Sequence, residues 1–229
     1  MKKRILNQPI DILNINQAVY FAKMALLNPK QLKIITLNPE MIINAETNID
    51  FQSAINNANL IVPDGSGIVW AFKFLNPGEY NELTRIPGIE LTEKILDSAN
   101  ELGRKLAIYG SSRSVIEKIA IEFSKKYPKI ELVKAIDGYE KNKTEPEIAK
   151  EIADENPNLI LVALGTPKQE IWINKYSYLF PRSVMIGIGG SLDVWSGEKN
   201  RAPQWIRDFQ LEWLFRALKE PSRISRLLN

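Results

Sequence analysis

Asp64 is the candidate in this chain for a catalytic carboxylate. It follows the apolar segment Leu60–Val62 and Pro63, and it precedes Gly65-Ser66-Gly67. A carboxylate at the end of a buried strand can accept a proton from a substrate hydroxyl if its surroundings keep it ionised. An aspartate here could equally cap the helix expected near Ser66–Phe74. Its position alone does not decide between a general base and a helix cap.

Three further polar side chains occupy positions where they could bind a substrate. Arg85 lies in a polar loop before Pro87, although a lone arginine in a loop is more often a solvated charge. Lys168 and Gln169 open a helix after a Gly-Thr-Pro turn, where a cation and a neutral amide suit a phosphate or a sugar hydroxyl. Taken singly, both are also ordinary first-turn residues.

Small and polar residues collect after each apolar segment that could form a buried strand. These stretches are 36–39, 63–67, 110–112, 137–139, 165–170 and 187–193. Parallel strands end at the same edge of a sheet, and ligands bind outside that edge. Glycine allows backbone amides to approach an anion, and a helix N-terminus adds a favourable dipole. One such loop is simply a turn, but six on one edge indicate a ligand that contains phosphate.

The composition excludes several kinds of chemistry. The chain has 229 residues with no cysteine and no histidine, so thiolate nucleophiles, disulfides and imidazole catalysis are ruled out. Proton transfer must use a carboxylate, lysine, tyrosine or the substrate itself. The sequence contains no G-x-x-x-x-G-K-[ST] motif and no G-x-G-x-x-G after the first strand. These absences disfavour a P-loop ATPase and a dehydrogenase.

The positive charge lies at the C-terminal end. Residues 198–229 hold seven basic and four acidic residues, which accounts for the whole net charge of +3. Helical spacing would place basic residues on one face and aromatic residues on the opposite surface: Arg216, Lys219, Arg223 and Arg226 against Trp205, Phe209 and Trp213. This pattern fits an interfacial helix on anionic lipid. A solvated basic face is the alternative, and the small net charge argues against nucleic acid.

Apolar segments and segments of helical period alternate along the chain. We predict an α/β fold with a mostly parallel, doubly wound, Rossmann-like sheet and an appended C-terminal helical tail. The predicted strands are Leu32–Leu37, Leu60–Val62, Lys105–Tyr109, Ile130–Val133, Leu159–Leu164 and Val184–Ile188, with a short edge strand at Ile10–Leu13. The predicted helices are Asn14–Leu27, Gly88–Leu102, Ser112–Tyr127, Thr144–Glu155 and Pro203–Lys219. The division is a catalytic α/β domain over residues 1–197 and a basic amphipathic appendage over residues 198–229.

No targeting signal or membrane-spanning segment is visible. The longest apolar run, Leu159–Leu164, is far too short to cross a bilayer. We therefore expect a cytoplasmic protein in which any membrane contact is peripheral.

Taken together, the motifs resemble the WecG/TagA/CpsF family of bacterial glycosyltransferases. The Gly-x-Pro-Lys-Gln-Glu-x-Trp and Glu-Trp-x-x-Arg elements are the most specific. The matching pieces are residues 36–39, Pro63-Asp64-Gly65-x-Gly67, Arg85-x-Pro87-Gly88, 164–172, Gly187-x-Gly189-Gly190-x-x-Asp193, Arg201-Ala202-Pro203-x-Trp205 and 211–223.

The resemblance implies transfer of a sugar from a UDP-sugar to an undecaprenyl-diphosphate-linked saccharide at the inner face of the cell membrane. In one branch, N-acetylmannosamine is added to lipid-linked N-acetylglucosamine, the linkage unit of wall teichoic acid, with inversion at the anomeric carbon. The alternatives are another donor for a capsule polymer, such as UDP-N-acetylmannosaminuronic acid or a UDP-hexose, and a regulatory protein that only binds UDP-sugar. Aromatic residues of the tail could also pack against a second copy in a homo-oligomer.

The resemblance also implies roles for individual residues. Asp64 would be the general base, Thr36 and Gln169 would line the catalytic pocket, and Arg85 would bind substrate. Tail residue Arg216 would lie near the diphosphate. The full set of substrate-binding candidates is Asn38, Gly110, Ser111, Tyr139, Lys168, Gly189, Asp193, Arg216, Arg223 and Arg226.

Three positions depart from the pattern of the family. Glu90 stands where aspartate is expected, Asn200 where a basic residue often precedes Arg201, and Gln210 replaces a glycine. None of these changes removes a proposed catalytic group. The sequence also lacks Asp-x-Asp, the metal–nucleotide motif of many glycosyltransferases. We therefore expect a reaction that needs no metal and no other cofactor.

Overall fold

A two-stranded hairpin begins the fold. The computed structural model describes residues 2–76, 83–203, 206 and 215. Strands β1 (Lys2–Ile5) and β2 (Gln8–Asp11) pair antiparallel across the turn residues Leu6 and Asn7, which have φ of 44° and 67°. The short edge strand predicted at Ile10–Leu13 is wrong in its bounds, and it pairs with β1 in a separate two-stranded sheet, because β1 lies just across a tight turn in sequence.

The central sheet has six strands, all parallel, in the order β4-β3-β8-β7-β5-β6. Its strands are β3 (Leu32–Leu37), β4 (Leu60–Pro63), β5 (Lys105–Gly110), β6 (Glu131–Ile136), β7 (Leu159–Ala163) and β8 (Val184–Gly187). All six were predicted, with small differences at most ends. The sheet confirms the predicted parallel α/β class, since continuous apolar strands need cover on both faces.

Nine α-helices are formed by the described residues. They are α1 (Ile15–Leu27), α2 (Pro39–Thr47), α3 (Ile49–Asn56), α4 (Ser66–Leu75), α5 (Gly88–Glu101), α6 (Arg113–Lys126), α7 (Glu145–Asp154), α8 (Lys168–Tyr176) and α9 (Ser191–Trp195). A 3₁₀ turn follows α8 at Ser177–Leu179. Helices α1, α5, α6 and α7 confirm the predictions within about one residue at each end. The predicted helix at Pro203–Lys219 and most of the appendage lie outside the described residues.

The two faces of the sheet carry separate hydrophobic clusters. Ile34 and Ile186 point to a cluster with α1, α5 and α6, whereas the neighbouring Ile35 and Met185 point to clusters with α2, α3, α4, α7 and α8. Because adjacent residues of a strand face opposite sides, both faces of these strands are buried. The winding of helices over both faces is what the apolar strand pattern predicted.

A crevice is expected between β5 and β7. These strands are hydrogen-bonded neighbours, but the helices that follow them, α6 and α8, pack on opposite faces of the sheet. Loops that diverge in this way open a ligand-binding crevice at the carboxyl ends of the strands. Across the described residues, no helix combines the length and apolar composition that a bilayer crossing needs.

Candidate active site

Asp64 and Thr36 meet at the start of α5. A Cβ atom added to Gly88 would lie 3.2 Å from Asp64 Oδ2 and 3.2 Å from Thr36 Oγ1. A side chain at this position would be crowded by both groups, so glycine lets the helix begin close to them without displacing either. The amino end of the α5 dipole favours a negative charge on the Asp64 carboxylate. The sheet therefore brings a carboxylate and a hydroxyl together at a helix N-terminus.

The backbone around Asp64 is fixed by β3. The Asp64 amide donates to the Leu37 carbonyl at 2.7 Å, which continues the pairing between β3 and β4 beyond the last strand residue. Gly65, at φ 114°, occupies the N-cap position of α4. Asp64 therefore does not hold the N-cap position that one of the two sequence interpretations gave it.

Arg85 lies on a segment that runs beside the end of β4. The next residue, Ile86, donates its amide to the Pro63 carbonyl at 2.8 Å. This bond places the Leu83–Pro87 segment against the residue that precedes Asp64. The half-buried Arg85 is thereby brought to the same end of the sheet as the carboxylate.

Gln169 is buried beneath the loop that follows β8. Its side chain is 4% exposed, and its Oε1 accepts a hydrogen bond from the Gly189 amide at 3.0 Å. A Cβ atom at Gly187 would lie only 2.6 Å from Gln169 Nε2. Gln169 thus ties α8 to the residues after β8, and Gly187 leaves the space that the amide fills. The predicted role of Gln169 in lining the catalytic pocket stays a prediction.

Glu170 is a buried carboxyl group to which the sequence interpretation gave no individual role. Its Oε1 accepts hydrogen bonds from Gln169 Nε2 at 2.7 Å and from Thr166 Oγ1 at 3.3 Å. Among the described residues, no group donates to its other oxygen, Oε2, which is buried. Burial raises the pKa of Glu170 from 4.5 to about 7, against the opposing effect of its hydrogen bonds.

The raised pKa of Glu170 predicts how stability depends on pH. The folded protein holds this proton more tightly than the unfolded chain, so stability falls as pH rises from 4.5 to about 7. The full loss is on the order of 3 kcal/mol. Glu170→Gln removes the titration, so its free energy of unfolding should rise relative to the parent between pH 5 and pH 8. Urea unfolding at both pH values measures this, with Glu131→Gln on the surface as the control. If the difference in free energy of unfolding between Glu170→Gln and the parent is the same at both pH values, the predicted titration of Glu170 is contradicted.

The loops after β5 and β6 lie at the other end of the candidate site and are joined to the segment after β8. Ser111 Oγ donates to Asp193 Oδ1 at 2.9 Å, and the Gly138 amide donates to the Ser111 carbonyl at 2.8 Å. Next to Gly138, Tyr139 is 74% exposed. The predicted residues Ser111, Tyr139 and Asp193 thus belong to one connected group of loops.

Other predicted site residues also have structural contacts. Asn38 Oδ1 accepts from the Met41 amide at 3.0 Å and so caps α2. A Cβ atom at Gly110 would lie 2.4 Å from the Ala163 carbonyl, so β7 requires glycine there. Lys168 is exposed in the first turn of α8. Arg216, Arg223 and Arg226 lie outside the described residues.

The first residues of the appendage are tied to α5 and α6. Arg201 donates to Glu90 Oε1 at 2.6 Å, in the first turn of α5, two residues after Gly88. Glu198 pairs with Lys118 of α6 at 2.5 Å. The glutamate at position 90, a departure noted in the sequence, therefore has a partner here. These contacts bring the chain at residue 201 to the helix N-terminus that faces Asp64.

Comparison with known proteins identifies relatives over most of the chain. The Glycosyl transferase WecG/TagA/CpsF family model matches residues 3–229. Two proteins called N-acetylglucosaminyldiphosphoundecaprenol N-acetyl-beta-D-mannosaminyltransferase are among the similar sequences. The one from Bacillus subtilis (strain 168) is 38% identical over 86% of this chain and 75% of its own length. The one from Staphylococcus aureus (strain MW2) is 37% identical over 93% of this chain and 80% of its own.

Proposed function

The chain belongs to the WecG/TagA/CpsF family of glycosyltransferases, and we propose that it transfers N-acetylmannosamine from UDP-N-acetylmannosamine to undecaprenyl-diphosphate-linked N-acetylglucosamine. This is the reaction of wall teichoic acid linkage-unit synthesis. The names of its relatives give the sugar and the acceptor. The observation that carries the proposal for this chain is the meeting of Asp64 and Thr36 over Gly88.

Asp64 acts as the general base in a single displacement. It takes the proton from a hydroxyl of the acceptor sugar as that oxygen attacks the anomeric carbon of the donor. The bond between this carbon and the diphosphate oxygen breaks, and UDP leaves with the electron pair. Attack from the side opposite UDP inverts the anomeric centre. One correctly placed carboxylate is sufficient for this step, which agrees with a chain that has no histidine and no cysteine.

Thr36 and Arg85 orient the reactants around Asp64. The Thr36 hydroxyl lies on the same side of Gly88 as the carboxylate, so it can hydrogen-bond to the attacking sugar. Arg85, on the segment beside β4, supplies positive charge for an anionic part of the substrate. Holding both reactants in line is itself a large part of catalysis in transfer reactions.

The donor nucleotide is proposed to bind where the loops after β5, β6 and β8 meet. Asp193 accepts from Ser111 and pairs with Lys199 at 3.2 Å. Because a carboxylate accepts hydrogen bonds and repels anions, Asp193 suits a ribose hydroxyl rather than a phosphate. The exposed ring of Tyr139 suits stacking on the uracil. The Gly189 amide donates to Gln169, so Gly189 contributes through the shape of the loop.

The leaving diphosphate is stabilised by Arg216, helix N-termini and backbone amides in this proposal, with no metal ion. In the proposal Arg216 is supplied by the appendage, whose residue Arg201 is bonded to Glu90 in the first turn of α5. Positioned cationic and amide donors can stabilise developing charge on a leaving group.

The metal-independent proposal predicts that EDTA leaves turnover unchanged. Cationic side chains take the place of a metal ion, so the rate at saturating substrates should stay within about twofold of the untreated enzyme. Release of UDP, followed with and without EDTA, measures this. Loss of turnover that magnesium or manganese restores would overturn metal independence while leaving the sugar-transfer proposal intact.

The proposed acceptor is attached to a lipid, so the enzyme must work at a membrane surface. The basic residues of the appendage and its tryptophans suit peripheral attachment to anionic lipid at the inner face of the cell membrane. This attachment is supported by charge and composition.

A donor screen tests the proposed function. The purified protein is incubated with a short-chain lipid-diphosphate-N-acetylglucosamine and each of a set of UDP-sugars, and products are identified by mass. The proposal expects UDP-N-acetylmannosamine to give the highest kcat/KM. A clear preference for UDP-N-acetylmannosaminuronic acid or a UDP-hexose would overturn the donor, and no product with any donor would overturn transfer.

A further inference from the structure

The pair Gln169 and Glu170 forms a connected set of hydrogen bonds below the loop after β8. Glu170 Oε1 accepts from Gln169 Nε2 at 2.7 Å, and Gln169 Oε1 accepts from the Gly189 amide at 3.0 Å. Both side chains are buried, at 4% and 5% exposed. The contacts therefore form inside the protein, where each hydrogen bond meets little competition from water.

The direction of these bonds depends on Glu170. A glutamine amide can be turned end for end with almost no change in shape, and only its partners distinguish the oxygen from the nitrogen. The Gly189 amide is a donor and needs the oxygen. Glu170 Oε1 is an acceptor and needs the nitrogen, which holds the Gln169 side chain in the orientation that bonds Gly189.

Without the acceptor at Glu170, Gln169 Nε2 becomes a buried donor that has lost its acceptor, and the side chain can relieve that cost only by shifting away from Gly189 or by turning over. A turned amide would place its NH₂ group against the Gly189 N–H, so two donors would face each other in a buried place. That arrangement costs the desolvation of both groups without a bond. The Gly187–Gly190 loop would then lose its attachment to α8 and leave the shape that the intact bonds hold.

We propose that Glu170 is a positioning residue for sugar transfer: through Gln169 it holds the Gly187–Gly190 loop in the conformation that binds the UDP-sugar donor. The inference rests on the proposed function, which places the donor against this loop. Glu170 itself is buried and touches no substrate in this account. It acts on the donor and not on the acceptor, because Asp64, Thr36 and Arg85 lie at the end of β3 and β4.

Two substitutions at position 170 separate hydrogen bonding from packing. Glu170→Gln keeps an acceptor oxygen in the same place, so donor KM and the dissociation constant of UDP should stay within about threefold of the parent. Glu170→Met keeps a chain of similar length without an acceptor. It should raise the donor KM and the UDP dissociation constant by about tenfold to a hundredfold while leaving the acceptor KM little changed.

A double-mutant cycle tests whether Glu170 acts through Gln169. Gln169→Met should cause a similar loss of donor affinity, and adding Glu170→Met to it should cause little further loss, because residues that act in series are not additive. Thr166→Val, which removes only the 3.3 Å bond to Glu170, should have a small effect. If Glu170→Met does not fold, Glu170→Asn replaces it. The asparagine side chain is one methylene shorter, so its amide oxygen lies farther from Gln169 Nε2.

The experiment combines steady-state kinetics with calorimetric binding of UDP alone. Three results support the inference. Glu170→Gln keeps the donor affinity of the parent, and Glu170→Met loses donor affinity but not acceptor affinity. The losses of Glu170→Met and Gln169→Met do not add in the double variant. The inference would be overturned if Glu170→Gln and Glu170→Met lost equal donor affinity. It would also be overturned if acceptor affinity fell together with donor affinity, or if the losses of the two single variants added in the double variant. Wild-type protein that makes no product with any UDP-sugar would instead overturn the proposed function. The UDP affinities of the variants would still decide whether Glu170 holds this loop.

Discussion

Replacing Asp64 by asparagine is expected to lower kcat by about 10²- to 10⁴-fold while the protein stays folded. The amide has the same shape as the carboxylate, but it accepts a proton far more weakly. Thr36 and the start of α5 should keep their places, because an amide of the same size fills the same space beside Gly88. Substrate KM values should therefore change much less than kcat. Initial rates at saturating donor and acceptor measure the effect.

The matched control is Asp97→Asn, which makes the same chemical change on the exposed side of α5. Its kcat should equal that of the parent. Thermal unfolding of both variants checks that neither has lost its fold. Near-normal kcat for Asp64→Asn would remove Asp64 from the role of base.

Reversing the charge at Arg216 has the second largest expected effect. If Arg216 stabilises the leaving diphosphate, Arg216→Glu should lower kcat by about 10²- to 10³-fold, the range for loss of one donor to a developing oxyanion. Arg207→Glu makes the same change of charge elsewhere in the appendage, so it controls for the general loss of positive charge. Equal losses in the two variants would indicate an effect of overall charge on membrane binding and would contradict a specific contact with UDP.

Truncation after Pro203 removes most of the appendage but keeps the contacts described above between its first residues and the body. The cut leaves Glu198 paired with Lys118, Arg201 bonded to Glu90, and Ala202 buried. The shortened protein should lose sedimentation with anionic vesicles and most of its turnover while keeping its thermal stability. Vesicle binding equal to that of the whole chain would contradict a membrane role for the appendage.

The fold could be predicted because the strands are buried on both faces. A segment such as Leu159–Leu164, continuously apolar and followed by Gly165, has few other possible environments in a chain of this size. The parallel arrangement then places every strand-end loop at one edge. That rule is why Asp64 and Thr36, 28 positions apart in the sequence, could be expected in the same site.

Features that depend on close tertiary contact were harder to predict. Helices α2 and α3 were missed because their short segments are rich in polar residues, and Asn38 and Asn48 start them by capping. Glu170 was recognised only as part of a motif and received no role of its own. Its importance comes from its burial beside Gln169, which the spacing of residues does not reveal. The ion pair between Glu90 and Arg201 joins residues far apart in the chain, and no local pattern indicates it.

The stereochemistry of the product decides whether the sugar is transferred in a single displacement with Asp64 as base. Wild-type protein is given UDP-N-acetylmannosamine and the short-chain lipid-diphosphate-N-acetylglucosamine, and the anomeric configuration of the added sugar is determined by NMR. Direct attack with Asp64 as the only base predicts one added residue whose anomeric configuration is inverted relative to the donor. A product with retained configuration would require either two displacements or attack from the face that UDP leaves, and it would contradict a single displacement with Asp64 as base.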